Sequence, residues 1–288
     1  MTIKTILTPV SGLDQDEAAL ATAFTVAESF GAHVEVLFAE ASAAEAVPMV
    51  GEGVSSTVIE QLMRAAEKEV ARRKEEARRV YADQRDRAGL TEHDTPPGPG
   101  GATVAWRDAQ GREDEVVARA GRLADLVVLG HPGDIEDVQP TLTLEAALMN
   151  GARPILLAPR VAPSTVGRAV AIAWNGGVEG ARAVNGALPF LEKAETVHVL
   201  TCETSRTDPE VARGLVDYLA WHGIDAKATP LQPGDADVGA VLLETAADFG
   251  CDMMVMGGYS HSRVREMIFG GVTRFVLAHA ALPVLMAH

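Results

Sequence analysis

Cysteine is scarce: Cys202 and Cys251 are the only two in 288 residues. Two thiols cannot close a metal cluster or a framework of disulfides. Basic residues are also short, with 25 Lys and Arg against 40 Asp and Glu and a net charge of −15. An acidic surface of that size repels phosphate backbones and anionic lipid, so a general nucleic-acid or membrane-surface role is disfavoured. No apolar run approaches the roughly 20 residues that a spanning helix needs. The segment Met1 to Leu7 lacks the long apolar stretch and small-residue cleavage site of a signal peptide. The histidines are scattered, and the chain has no His-Glu-x-x-His, no Gly-x-x-x-x-Gly-Lys-Ser/Thr loop and no Gly-x-Ser-x-Gly elbow. What remains is an acidic protein expected in the cytoplasm, without a metal site.

What the chain does have is one unit written twice. Ile3 to Val10 is an apolar run that ends in the polar turn Ser11-Gly12, followed by a helical pattern from Asp16 to Ala27, the stop signal Gly31 and a second apolar run, His33 to Phe38. The same order returns at Arg168 to Gly176, Glu179 to Val184 and Thr196 to Leu200. Ala124-Asp125-Leu126-Val127-Val128-Leu129-Gly130 matches Cys251-Asp252-Met253-Met254-Val255-Met256-Gly257, and Arg153 to Ala158 matches Leu282 to Ala287. Short apolar strands alternating with helices predict an α/β fold with a parallel sheet covered on both faces. Right-handed crossovers make each sheet doubly wound. Two tandem domains are therefore expected, at residues 1–160 and 167–288, each with a five-stranded parallel sheet.

The first half adds a long helix, predicted from Thr57 to Ala88, and a Pro/Gly-rich loop from Glu92 to Gly101. Within the helix, Arg72, Arg73, Lys74, Arg78 and Arg79 alternate with glutamates, and Glu69/Arg73 and Glu75/Arg79 are spaced i,i+4. That pattern reads as a solvated face and not as a nucleic-acid surface. Its apolar line, Val58, Leu62, Ala66, Val70, Ala77 and Tyr81, suits docking on a sheet or on a partner.

Ligands of open parallel sheets bind at the carboxyl ends of the strands, where strand order reverses. In the second half, Trp174-Asn175-Gly176-Gly177 follows the first strand and Gly257-Gly258-Tyr259-Ser260-His261-Ser262-Arg263 follows the fourth. Glycine permits close backbone approach, and Ser260, Ser262 and Arg263 offer hydroxyls and a charge. Gly270-Gly271 then opens the amphipathic stretch that holds Val272 and Thr273, where free amides and the helix dipole favour an anion.

At these residues the chain resembles the universal stress protein family, whose nucleotide-binding members carry Gly-x-x-Gly, nine residues, then Gly-Ser or Gly-Thr. Here Gly257 to Ser260, the nine residues His261 to Phe269, and Gly270-Gly271 keep that spacing. Ser260 replaces the second Gly, Gly271 replaces the hydroxyl residue, and Asn175 stands where binders carry Asp. The resemblance extends over essentially the whole chain as two copies, with sheet order 3-2-1-4-5 in each. It implies a non-catalytic stress-response or regulatory module that takes ATP or another adenine nucleotide in the second domain alone. Gly257, Gly258, Ser260, His261, Ser262, Arg263, Gly270, Gly271 and Thr273, with Met256 and Val272 beside them, would shape the phosphate end. Trp174, Asn175 and Val199 would shape the base and sugar end. Valine at Gly257 or Gly270 is then expected to abolish binding with the fold intact.

The first half keeps Gly130-His131-Pro132-Gly133, but Asp134, Glu136 and Asp137 follow at once, and its first strand ends in Ser11. Carboxylates there repel a triphosphate, so this site is expected to be degenerate. The family also implies pairing through the last strand of each domain, an intrachain pseudo-dimer, and leaves a homodimer of two chains open. Two alternatives stand beside this reading. One is a slow ATPase or nucleotidyl-transfer enzyme using His261 and Glu266. The other is a nucleotide-free interaction scaffold built on the Tyr259 loop or the long helix.

Overall fold

The computed structural model describes residues 2–41, 56–98, 100–133, 138–202, 209–258 and 270–288. In the N-terminal half the order is β1 (Thr5–Val10), α1 (Gln15–Phe30), β2 (His33–Glu40), α2 (Ser56–Ala88), β3 (Thr91–Glu92), β4 (Thr103–Gln110), α3 (Glu113–Gly121), β5 (Leu126–Leu129), α4 (Val138–Asn150) and β6 (Ile155–Leu157). The C-terminal half runs β7 (Ala169–Ala173), α5 (Val178–Leu191), β8 (Thr196–Cys202), α6 (Pro209–Trp221), β9 (Ala226–Leu231), α7 (Val238–Asp248), β10 (Met253–Gly257), α8 (Gly271–His279) and β11 (Val284–Ala287).

Continuous apolar runs such as Leu126–Leu129 form strands buried on both faces, as parallel sheets covered by helices require. Helix α1 stops at Gly31, which takes the left-handed conformation (φ 61°) and donates its amide to Ala27 O. Both halves tie their first strand down in the same way. The Asp125 carboxylate accepts from the amides of Lys4 and Thr5, and Asp252 accepts from the amide of Ala169.

The strands form one sheet in the order β3-β4-β2-β1-β5-β6-β11-β10-β7-β8-β9. Setting aside the two-residue edge strand β3, which the sequence pattern did not show, each half has the order 3-2-1-4-5. All pairs within the halves are parallel, and β6 meets β11 antiparallel, Leu156 opposite Leu285. The last strands of the two halves thus join them into a single sheet. Because that join is antiparallel, the carboxyl ends of the two half-sheets point in opposite directions. A core cluster lines each face and runs through both halves: Phe24, Val36, Val128, Ile172 and Phe190 on one side, Leu7, Val127, Ile155, Met254 and Met286 on the other. Phe30 and Phe190 meet edge to face across the halves, 5.0 Å between ring centres.

Helix α2 is about 50 Å long at 1.5 Å per residue. Its lower apolar line is buried, Ala77 and Tyr81 being 0% and 2% exposed, whereas Val58 and Leu62 are both 44% exposed. The basic residues are paired, as the spacing predicts for Glu69 and Arg73 at 2.9 Å. Arg79 departs from its predicted partner Glu75 and bridges Glu76 at 2.6 Å and Asp83 at 3.0 Å. Among the described residues no helix is long and apolar enough to cross a membrane. Cys202 and Cys251 are free and buried, and burial raises the pKa of both thiols, that of Cys251 to about 11.

Candidate functional site

Strands β7 and β10 are neighbours, with Ala173 opposite Met256, and the chain leaves them on either side of the switch point. Asn175 is exposed, and its Oδ1 accepts from the Gly177 amide at 2.9 Å, closing a turn in which Gly176 has φ 76°. The Trp174 indole donates to Val211 O at 2.9 Å. Its ring also abuts α5, since a Cβ on Gly180 would lie 3.2 Å from it. The indole therefore fills the wedge between α5 and α6. Val199 is 0% exposed and Met256 5%, so both are core residues here.

The glycine pair that ends β10 has a packing role that the sequence pattern concealed. A Cβ on Gly257 would stand 2.6 Å from the Gly180 amide nitrogen and 2.9 Å from the Glu179 carbonyl carbon. The first turn of α5 sits directly on the end of β10, and glycine is what permits that approach. Gly258 donates its amide to Ala287 O at 3.0 Å, and a Cβ there would be 2.8 Å from Leu148 Cδ2 in the N-terminal half. Valine at Gly257 is therefore not a clean probe of binding, contrary to the expectation above.

The second glycine pair is placed differently. Gly270 caps α8 in an extended conformation (φ −61°, ψ 151°), and among the described residues no atom lies within 4 Å of a Cβ built on Gly270 or Gly271. The first backbone bond of α8 runs from Arg274 N to Gly270 O at 2.9 Å, ahead of which the amides of Gly271, Val272 and Thr273 have no intrahelical acceptor. No acidic side chain stands in this first turn, so the positive end of the helix dipole is uncompensated from within. Thr273 is 6% exposed. Ser260, His261, Ser262 and Arg263, like Tyr259 and Glu266, lie outside the described residues.

The N-terminal half repeats this geometry with different chemistry. Ser11-Gly12 stands where the second half has Asn175-Gly176, and Gly130 where it has Gly257. The space between them is about 20 Å³, lined by Ser11, Asp16, Glu113, Gly130, Pro140 and Thr143. That volume holds a water molecule but is more than tenfold short of the roughly 300 Å³ of a small-ligand pocket. Asp16, 2% exposed, fills the crevice and accepts from the Ser11 amide at 3.0 Å and the Gly12 amide at 2.7 Å. Glu113 accepts from Thr143 Oγ1 at 3.0 Å. Burial pushes Asp16 up to about 6. Burial, helped by the Asp16 and Asp114 charges, pushes Glu113 up to about 7. Asp134, Glu136 and Asp137 lie outside the described residues.

Raised carboxyl pKa values mean that the folded state holds these protons more tightly than the unfolded chain. Their contribution is full below about pH 4 and is lost as pH rises through 6 to 7. Glu113→Gln keeps an acceptor for Thr143 and removes one titration. Its melting temperature, followed by circular dichroism from pH 5 to 8, should therefore fall less than that of the unaltered protein. The expected difference is a few degrees, as about 1 kcal/mol produces in a protein of this size. Parallel pH profiles would contradict the assignment.

Two doubly wound halves sharing one sheet, with a helix that starts at Gly271 after the fourth strand of the second and a crevice occupied by Asp16 and Glu113 in the first, define a tandem α/β protein. Residues 168–288 match the sequence model of the universal stress protein family. That match covers the C-terminal half, and the N-terminal half repeats the same strand order. A universal stress protein from Archaeoglobus fulgidus DSM 4304 has a similar structure, with TM-score 0.70 and 15% identity over 98% of this chain and 97% of the other. A protein of unknown function from Pseudomonas aeruginosa PAO1 follows, with TM-score 0.57 and 16% identity over 98% and 92%. At these identities the likeness is one of fold. Among curated proteins none matches the chain. Among the described residues no group of three or more His, Cys, Asp or Glu side chains is arranged to hold a metal ion.

Proposed function

We propose that this chain is a stress-response module that holds one adenine nucleotide, ATP or a relative, in its C-terminal half, with the N-terminal half as its structural partner. The observation that carries the reading is the N-terminus of α8: three amides without intrahelical acceptors, two glycines uncrowded among the described residues and no acidic side chain in the first turn. That end fits a phosphate. The base end fits less closely, since Val199 is sealed in the core and the Trp174 indole is committed to Val211. The nucleotide is therefore held chiefly by its phosphates, with exposed Asn175 as the polar group nearest the sugar side. A first turn without a carboxylate favours holding a nucleotide over turning it over, because hydrolysis needs a group to orient or deprotonate water. In the N-terminal crevice Asp16 and Glu113 take the space and the charge that a phosphate would need.

Gly271→Pro tests the phosphate end without disturbing the fold. Proline suits the first position of a helix, and Gly270 already has the extended backbone that a residue before proline adopts. The substitution deletes one amide donor. ATP affinity measured by calorimetry should fall about tenfold, the size of one hydrogen bond to a charged group, while the melting temperature stays within a few degrees. Unchanged affinity in a folded variant would remove α8 from the site.

A further inference from the structure

Away from both switch points, a groove of about 330 Å³ lies on the N-terminal sheet, bounded by β1, β2, β4 and α3. Its volume lies in the range of small-molecule pockets. The accessible apolar lining comes from Ala109, Ala120 and Leu123, the last 88% exposed at the mouth, while Leu7, Leu37 and Val116 lie sealed behind it at 2%, 0% and 3%. The rim is charged. Arg107 pairs with Glu35 at 2.9 Å, whereas Arg119 has no ion-pair or hydrogen-bond partner among the described residues. His33, hydrogen-bonded to Thr103, is held below its ordinary pKa by burial and so adds no charge at neutral pH. On a chain of net charge −15, this rim is therefore locally positive by one unmatched guanidinium.

The C-terminal half shows what the same face looks like when it is closed. The sheet registers place His198 where the N-terminal half has Glu35, and Phe249 at the end of α7 stacks on the His198 ring with 4.4 Å between centres. Arg122 takes the place of Phe249 in the N-terminal half and instead donates to Asn150 O at 3.1 Å, away from the groove. The groove is therefore a property of one half of the repeat.

We propose that it binds a small amphipathic monocarboxylate, with an aliphatic or aromatic body on Ala109, Ala120 and Leu123 and its carboxylate on Arg119. A polyphosphate is the wrong occupant, because the apolar lining cannot solvate it and only one guanidinium is unmatched. A neutral apolar molecule would leave Arg119 unused. The Glu35 carboxylate, which would otherwise repel the ligand, is neutralised by Arg107. This site is independent of the nucleotide reading, since it lies in the other half of the chain.

The test is titration of the full chain with octanoate, followed by amide chemical shifts, with 1-octanol and acetate as controls. Octanoate should give saturable shifts at Ala109, Ala120 and Leu123, with affinity about tenfold above octanol and acetate, the size of one charge-assisted hydrogen bond. Arg119→Gln, an exposed change on a helix surface, should bring octanoate down to the octanol value and leave octanol unaffected. Ala109→Phe should block both by filling the groove. Octanoate binding no better than octanol, insensitive to Arg119→Gln, or mapping outside the groove would overturn the proposal.

Discussion

Gly257→Val is expected to destabilise the whole fold and not merely to empty a site. The added Cβ would meet backbone atoms, the Gly180 nitrogen at 2.6 Å and the Glu179 carbonyl carbon at 2.9 Å, and backbone cannot swing aside as a side chain can. Relief requires α5 to lift off β10, which uncovers the core around Val184, Ala187 and Phe190. Overpacking a core with flexible neighbours costs about 1–3 kcal/mol, and a contact with backbone belongs at or beyond the top of that range. At about 2–4 °C per kcal/mol, the melting temperature should drop by about 10 °C or more. Gly271→Ala is the matched control: it adds the same Cβ at the start of α8, where no described atom lies within 4 Å, and should leave the melting curve unchanged or slightly raised. Thermal unfolding of the two variants checks this directly. A Gly257→Val protein that melts with the parent would show that the α5–β10 contact is looser than described.

Leu156→Ala should destabilise both halves together. Leu156 and Leu285 face each other across the antiparallel join of β6 and β11, and both are 0% exposed. Truncating a buried leucine costs about 2–5 kcal/mol, from lost transfer energy and the cavity left behind. The position of the loss matters more than its size. Each core cluster continues through the join, so neither half has a core of its own to fall back on. Unfolding should therefore remain a single transition, moved down by about 5–15 °C. Tyr and Trp fluorescence, dominated on one side by Trp106 and on the other by Trp174, should shift in step. Two separated transitions, with only one of them moved, would mean that the halves are independent domains that happen to touch.

The repeat was legible because parallel strands buried on both faces must be apolar throughout, and the matched segments around Leu126–Leu129 and Met253–Gly257 carry that mark in the open. Strand order and the join through the last strands came from the family resemblance, and the sheet has that order. The site was less legible. Gly257 reads as a ligand glycine from its spacing to Gly270, yet its neighbours Glu179 and Gly180 lie far away in the sequence, and only the fold brings α5 onto β10. In the sequence Asp16 marks only the start of a helical pattern. That it turns back onto the amides of Ser11 and Gly12 follows from the sharp turn at Gly12, whose φ is 73°. Glu113 shares its crevice across about a hundred residues of chain, which no local pattern records. Arg79 chose Glu76 and Asp83 over Glu75 because charged side chains on a helix surface have several partners at nearly equal distance, and spacing alone does not rank them.

The proposed single nucleotide site per chain is tested most directly by the count of bound nucleotide. Native mass spectrometry of the full chain in millimolar ATP should show one nucleotide per chain, and the Gly271→Pro protein should lose it first on dilution. Two nucleotides per chain would contradict the closure of the N-terminal crevice by Asp16 and Glu113. None at that concentration would contradict the role given to α8.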